Sequence, residues 1–456
     1  MRCLQLHSSN FRHAVRHGSC RRAEHGVIIT LVAVFMLFVI GAMAALSIDV
    51  VTLYTARSEA QLAADAGALA GARALANSGM TSDTTGGSIP QAEIWAQAIA
   101  TQVAGNNLVG GRNLNSGSAA ACTSGFPAGQ EICVSFNDTA TSFQTDPQVT
   151  VRVQRTDLPT FFARIWGSTQ IKVAAVATAE AYNPSGVTTA GKSPVAPTCV
   201  KPWLLPNIHP NSGAVNARIF DPATGAILDT NLLGYQTQGF GPSKRLQAAC
   251  SPDCSSGLPA ASSYHYYPGD PATTFPPPTQ QLPNCSPAIS SAYQESVAGC
   301  IQTPISCNST ANIDMTSNPT RNGETLNAVD CLTHTQNGKG DRYDNAGGQG
   351  PPFQFIAGDD NPVAGAAGQV VIVSDSIVTV PVFDIANGAT PSQQVTVIGF
   401  LQLFLNPAGT ETPPNATAPG STRSKVINLV GCGLNATGQP ILGNGASPVA
   451  VRLISQ

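Results

Sequence analysis

Hydrophobic and polar positions divide the chain into one long apolar helix followed by shorter alternating runs. Val27 to Ile48 is an uncharged run of 22 residues, long enough as a helix to cross the roughly 30 Å hydrocarbon core of a bilayer. No breaker follows it. The helical pattern continues through Asp49 to Tyr54 and Arg57 to Asp65 into an Ala-rich stretch at 66–76, and Asn77-Ser78-Gly79 supplies a stop. The pattern predicts a transmembrane helix over 27–48 that continues as a stem helix over 49–77.

Beyond the stem the periods shorten. Ser88-Ile89-Pro90-Gln91 has capping-box spacing with an early proline. The helix it opens carries a stripe of Ile94, Trp95, Ala98, Ile99, Gln102 and Val103, ended by Gly105-Asn106. Ile132 to Phe136, and Val149, Val151 and Val153 alternating with Thr150 and Arg152, read as half-buried strands. Leu158 to Gly167 reads as a short aromatic helix, and Ile171 to Tyr182 as an Ala/Val strand. A Pro/Gly/Thr linker at 184–198 leads to a segment with little periodicity. Strands return at Val370–Val373, Ile377–Val382, Val395–Leu405, Lys425–Val430 and Val449–Ile454. The expected fold is α+β: a basic segment (1–26), the span, the stem, a membrane-proximal α+β module (78–183) and a β-rich, disulfide-stapled module (199–456).

Composition changes this picture in three ways. Only 11% of the residues are charged, against roughly 25% in ordinary soluble domains. The 43 glycines and 34 prolines favour turn-rich β structure over helical bundles. A net charge of −3 gives no electrostatic case for nucleic acid, which is set aside as a partner. No cofactor is expected.

Charge also orients the span. Arg2, Arg12, Arg16, Arg21 and Arg22 precede it against the single acid Glu24, which keeps the N-terminus in the cytoplasm and exports the rest. A cleaved signal peptide is the alternative, but its apolar region would be shorter, and Ala42-Met43-Ala44 lies inside the run. A retained anchor is the reading. Of the twelve cysteines, Cys3 and Cys20 precede the span. The even set beyond it is Cys122, Cys133, Cys199, Cys250, Cys254, Cys285, Cys300, Cys307, Cys331 and Cys432, which fits disulfides in an oxidising compartment with connectivity left open. Zinc is the rival, with Cys250-Ser-Pro-Asp-Cys254 as half a site, but no Cys-x-x-Cys pair occurs.

Apparent catalytic motifs lack their contexts. Gly186 to Ser193 matches the phosphate-loop spacing, yet Asn183-Pro184-Ser185 interrupts the strand it needs and Pro194 and Pro197 follow it. No nucleotide site is expected there. Gly431-Cys-Gly433 imitates a dinucleotide fingerprint too close to the chain end for a βαβ unit, and reads as a turn. His209, His265 and His334 sit in no hydrolase or metalloprotease signature. Asp341, Asp344, Asp359, Asp360 and Asn361 lack EF-hand spacing and read as solvated turns, so no metal is expected.

The stem carries the remaining signal. Gly67 and Gly71, with Ala60 and Ala64 a turn or two earlier, put small residues on one face several turns past the span. Each glycine costs a lone helix about 1 kcal/mol relative to Ala. A close-packing face, within the chain or between copies, offsets that cost. Gly26, the apolar run, Asp49, Tyr54, Arg57, Gln61 and Ala64 to Gly71 resemble the N-terminal signature of TadG-like proteins of the tight-adherence (Flp) pilus system. Val149 to Tyr182, Cys199-Val-Lys-Pro-Trp203 and Val380-Pro-Val-Phe-Asp384 leading to Gly399-Phe400-Leu401 are similar to exported parts of that family. The resemblance implies a non-enzymatic protein of the bacterial inner membrane that supports pilus assembly or adhesion, with other pilus-assembly proteins and the membrane as partners. It departs from prepilins, where Gly26 should be followed by Glu at position 31 and Leu stands instead. An anchored hydrolase and an adhesin unconnected with pili are the rival readings.

Overall fold

The computed structural model describes residues 25–115, 117, 122, 125–126, 129–137, 146–160, 162, 167, 170–185, 193–208, 218–237, 266–279, 282, 285, 288–314, 320–335, 338–344, 348, 350–384, 393–409, 422–443 and 445–455. Two compact units result: one holds the chain up to Tyr54 with Asp157–Ile171, the other Thr55–Thr156 with Lys172–Gln456.

In the first unit lies most of the apolar half of α1 (His25–Asn77), a single helix of 53 residues. Val27, Phe35, Leu37 and Phe38 are each more than 60% exposed there, a surface suited to lipid rather than water. This helix is long and apolar enough to cross a membrane, and it forms a single-pass membrane anchor. Asp49, just past the apolar run, is buried, and its carboxylate accepts the backbone N–H of Phe162 at 3.0 Å. That bond holds the turn after β2 on the helix within this unit.

The second unit contains two main sheets. The smaller has four strands: β1 (Ile132–Phe136), β2 (Gln148–Pro159), β3 (Gln170–Tyr182) and β11 (Ala450–Ser455), in the order β11-β3-β2-β1. β11 pairs antiparallel with β3, so the last strand of the chain completes the first sheet. The larger sheet has seven: β4 (Trp203–Pro206), β5 (Gln236–Thr237), β6 (Tyr267–Pro268), β7 (Thr310–Asn312), β8 (Ile377–Phe383), β9 (Gln394–Leu405) and β10 (Ser424–Gly431). Their order is β5-β10-β9-β8-β4-β6, with β7 on the end of β9. β8 and β10 are buried at every position, which explains why their sequences run apolar with little alternation. One face packs Trp203, Phe220, Tyr266 and Tyr293 with Leu401 and Leu403. A second cluster gathers Tyr343, Phe353, Phe355 and Phe404, with Phe355 stacked on Phe404 at 4.6 Å. Lys425 lies over the Tyr343 ring at 3.7 Å, and burial pushes its ammonium down to about 8.

Four disulfides close this unit among the described residues: Cys122–Cys133, Cys199–Cys300, Cys285–Cys331 and Cys307–Cys432. Cys250 and Cys254 lie outside the described residues, as do the basic segment 1–24, His209, His265 and the phosphate-loop-like stretch 186–192. Asp341 braces a loop, accepting the Gly358 N–H at 2.7 Å and the Asn361 amide at 2.9 Å.

Three local readings need correction. Ser88 precedes α2 (Ile89–Gly105) but makes no capping bond; its hydroxyl and N–H both donate to Asp83. α3 (Ala292–Ala298) and α4 (Thr320–Thr333) occupy the stretch read as aperiodic. Leu158 and Pro159 extend β2 instead of opening an aromatic helix, the rest of which, apart from Thr160, Phe162 and Gly167, is outside the described residues.

Candidate functional site

The stem half of α1 is the core helix of the second unit. Ala56, Ala60, Ala63, Ala64, Ala68, Ala72, Ala74, Leu75 and Ala76 are all essentially inaccessible. Ala side chains leave little bulk, so neighbouring elements approach closely on the buried faces of the helix. Gly67 and Gly71 mark the closest approaches. A Cβ on Gly67 would lie 2.9 Å from the Ala104 Cβ and 3.0 Å from the Ala100 carbonyl oxygen, with Val151 at 3.3 Å. On Gly71 it would lie 3.0 Å from Val149 and 3.1 Å from the Ala100 Cβ. The stem is therefore gripped by α2 on one side and β2 on the other, all within one chain.

The expected stripe on α2 holds in part, since Trp95 and Ile99 are buried, but the residues against the stem are alanines. Ala92, Ala96, Ala100 and Ala104 are buried, whereas Ile94 is 59% exposed and Ala98 and Gln102 face solvent. The signal was present as alanines at every fourth position, matching the small-residue spacing of the stem. Apolarity alone pointed to the larger side chains instead.

The end of the stem is fixed by polar contacts. Gly79 takes φ +81, and a Cβ there would meet the Ile427 carbonyl at 2.6 Å, so only glycine ends the helix this way. Asn428, buried in β10, donates to the Ala76 carbonyl at 2.5 Å and to Gln402 Oε1 at 2.6 Å. Asn77 donates to the Ile372 carbonyl at 2.9 Å. Ser82 accepts the Leu429 N–H at 2.9 Å, and Asn183 reaches both Thr81 and Leu429 carbonyls at 3.1 Å. Burial acts to raise the Asp83 carboxyl, but hydrogen bonds from the side chains and N–H groups of Thr85 and Ser88 outweigh it and hold it below its ordinary range. These bonds satisfy the polar groups of an otherwise apolar sheet.

A helix-anchored, disulfide-bonded α+β protein, with its anchor helix continuing into the core, is the class these features define. Residues 26–74 match the family model described as "Putative Flp pilus-assembly TadE/G-like". That match spans the anchor and nearly all of the buried stem. No curated protein and no solved structure matches the chain.

Proposed function

We propose that the chain is a bitopic protein of the bacterial inner membrane, with its N-terminus cytoplasmic and its disulfide-bonded part exported, that supports tight-adherence (Flp) pilus assembly or adhesion without catalysing a reaction. The observation that carries this reading is the coincidence of the matched segment, 26–74, with one continuous helix that is anchor at one end and core at the other. Such a helix tethers a folded exported body to the bilayer, a structural role that needs no reacting group. The arginines ahead of the span support the orientation, and the disulfides support an oxidising destination.

Deleting the gene should sharply reduce surface pili and adhesion, counted by electron microscopy and surface-binding assay. The full chain should restore both, and Lys192→Ala should restore them equally well. Normal piliation and adhesion in the deletion strain would refute the proposal; failure of Lys192→Ala at normal protein level would reinstate a nucleotide site.

A further inference from the structure

A cavity of about 230 Å³ opens beside the Cys199–Cys300 disulfide. Its polar lining is Lys201, His334, Ser374 and Asp375; its apolar lining includes Leu282, Leu332 and Val378. Lys201 is 3% exposed, and its ammonium donates to the Gly299 carbonyl oxygen at 2.5 Å. An ammonium has three donors, and a carbonyl does not neutralise its charge. Among the described residues no carboxylate pairs with Lys201 within 4.0 Å; Asp375 pairs instead with His334 at 3.2 Å. A buried cation with no carboxylate in contact is costly, and this one lines a cavity larger than the roughly 150 Å³ that accepts benzene. Cys199 and His334, both at the cavity, hold left-handed backbone conformations with φ +57 and +52, a region few non-glycine residues adopt, although histidine enters it more readily than most.

We propose that this cavity binds a monoanionic carboxylate bearing a small apolar group, with the carboxylate on the Lys201 ammonium and the apolar group against Leu282, Leu332 and Val378. One buried cation faces one ligand charge. A dianion would leave its second charge unpaired beside Asp375. The carboxylate can come from a free small acid or from the C-terminal residue of a polypeptide, which present the same chemistry. Burial pushes Lys201 down to about 7, against a smaller upward pull from Asp375. The charged groups lining the cavity with it are Asp375, which opposes an anion, and His334, whose hydrogen bond to Asp375 raises it and favours the imidazolium. Anion binding requires charged Lys201, so affinity should fall about fivefold from pH 7 to 8 and about tenfold per pH unit beyond.

The test is calorimetric titration of the full chain in detergent, disulfides intact, with 3-phenylpropionate and N-acetyl-leucine and with the neutral amide of each. The acids should bind one per chain, at least about tenfold more tightly than their amides, and about fiftyfold more weakly at pH 9 than at pH 7. Lys201→Met should abolish acid binding, and Ala446→Phe, which narrows the cavity while keeping the ammonium, should weaken it at least tenfold. Binding by 3-phenylpropionate alone identifies a free acid as the source; binding by N-acetyl-leucine alone identifies a chain end. Neither acid binding to the wild type, or acid and amide binding equally, would overturn the proposal without reference to any variant.

Discussion

A chain carrying Gly67→Leu and Gly71→Leu should melt well below the wild type and accumulate poorly, although leucine forms helix better than glycine. The helical preference would return somewhat under 1 kcal/mol per site. Against it, even a Cβ at Gly67 would be 2.9 Å from Ala104 and 3.0 Å from a main-chain carbonyl. A carbonyl on α2 moves only if the helix moves, and α2 also packs Trp95 and Ile99 into the core. Overpacking of this kind costs about 1–3 kcal/mol a site, and more when backbone is displaced. The double variant should therefore lose on the order of 2–5 kcal/mol, a large part of the stability of an ordinary domain. Leu62→Ala, at a stem position 63% exposed, should leave the melting temperature unchanged. Wild-type melting of the double variant would mean that the stem is not gripped as described.

Breaking the two long disulfides should be more severe still. Cys199–Cys300 and Cys307–Cys432 close loops with sequence separations of 101 and 125, whereas Cys122–Cys133 closes one of 11. On chain-entropy grounds the long bridges each contribute about 5 kcal/mol and the short one about 3. The long pair also carries register. Cys432 follows β10 directly, and its N–H donates to the Ile398 carbonyl in the neighbouring strand, so the bridge to Cys307 fastens the end of the central sheet. Replacing all four cysteines by alanine should leave the chain largely unfolded at 37 °C, read as protease sensitivity in oxidised cells. Removing Cys122 and Cys133 alone should lower the urea midpoint while leaving a folded protein. Equal urea midpoints for the four-cysteine variant and the wild type would contradict this ranking.

The strands were legible because each carries its own signal. β8, β9 and β10 fall within a residue or two of the apolar runs that predict them, and β2 shows the alternation of a half-buried strand. The return of β11 to β3 was not legible: Arg452 meets Glu180 at 2.6 Å across a separation of 272 residues, and no local pattern encodes such a pairing. α3 could have been read, since Ser291 and Gln294 form a complete capping box at its start. α4 could not; its sequence, TRNGETLNAVDCLT, has little apolar content, and tertiary contact with α3 supplies its stability. Gly67 and Gly71 drew notice through their spacing and their cost in a helix. Their neighbours did not, because Ala96, Ala100 and Ala104 look like mere helix formers until the helices are seen packed. Nothing in the periodicity marked Lys201. Its burial follows from the sheet and the disulfide that surround it, both assembled from distant segments.

The most direct measurement is the location of a periplasm-only reporter. Alkaline phosphatase fused after Gln456 should be active and remain with the membrane fraction after carbonate extraction, while the same reporter fused before Gly26 should be silent. An inactive C-terminal fusion, or an active one released in soluble form with a new N-terminus beyond Ile48, would contradict a retained anchor that continues into the exported core.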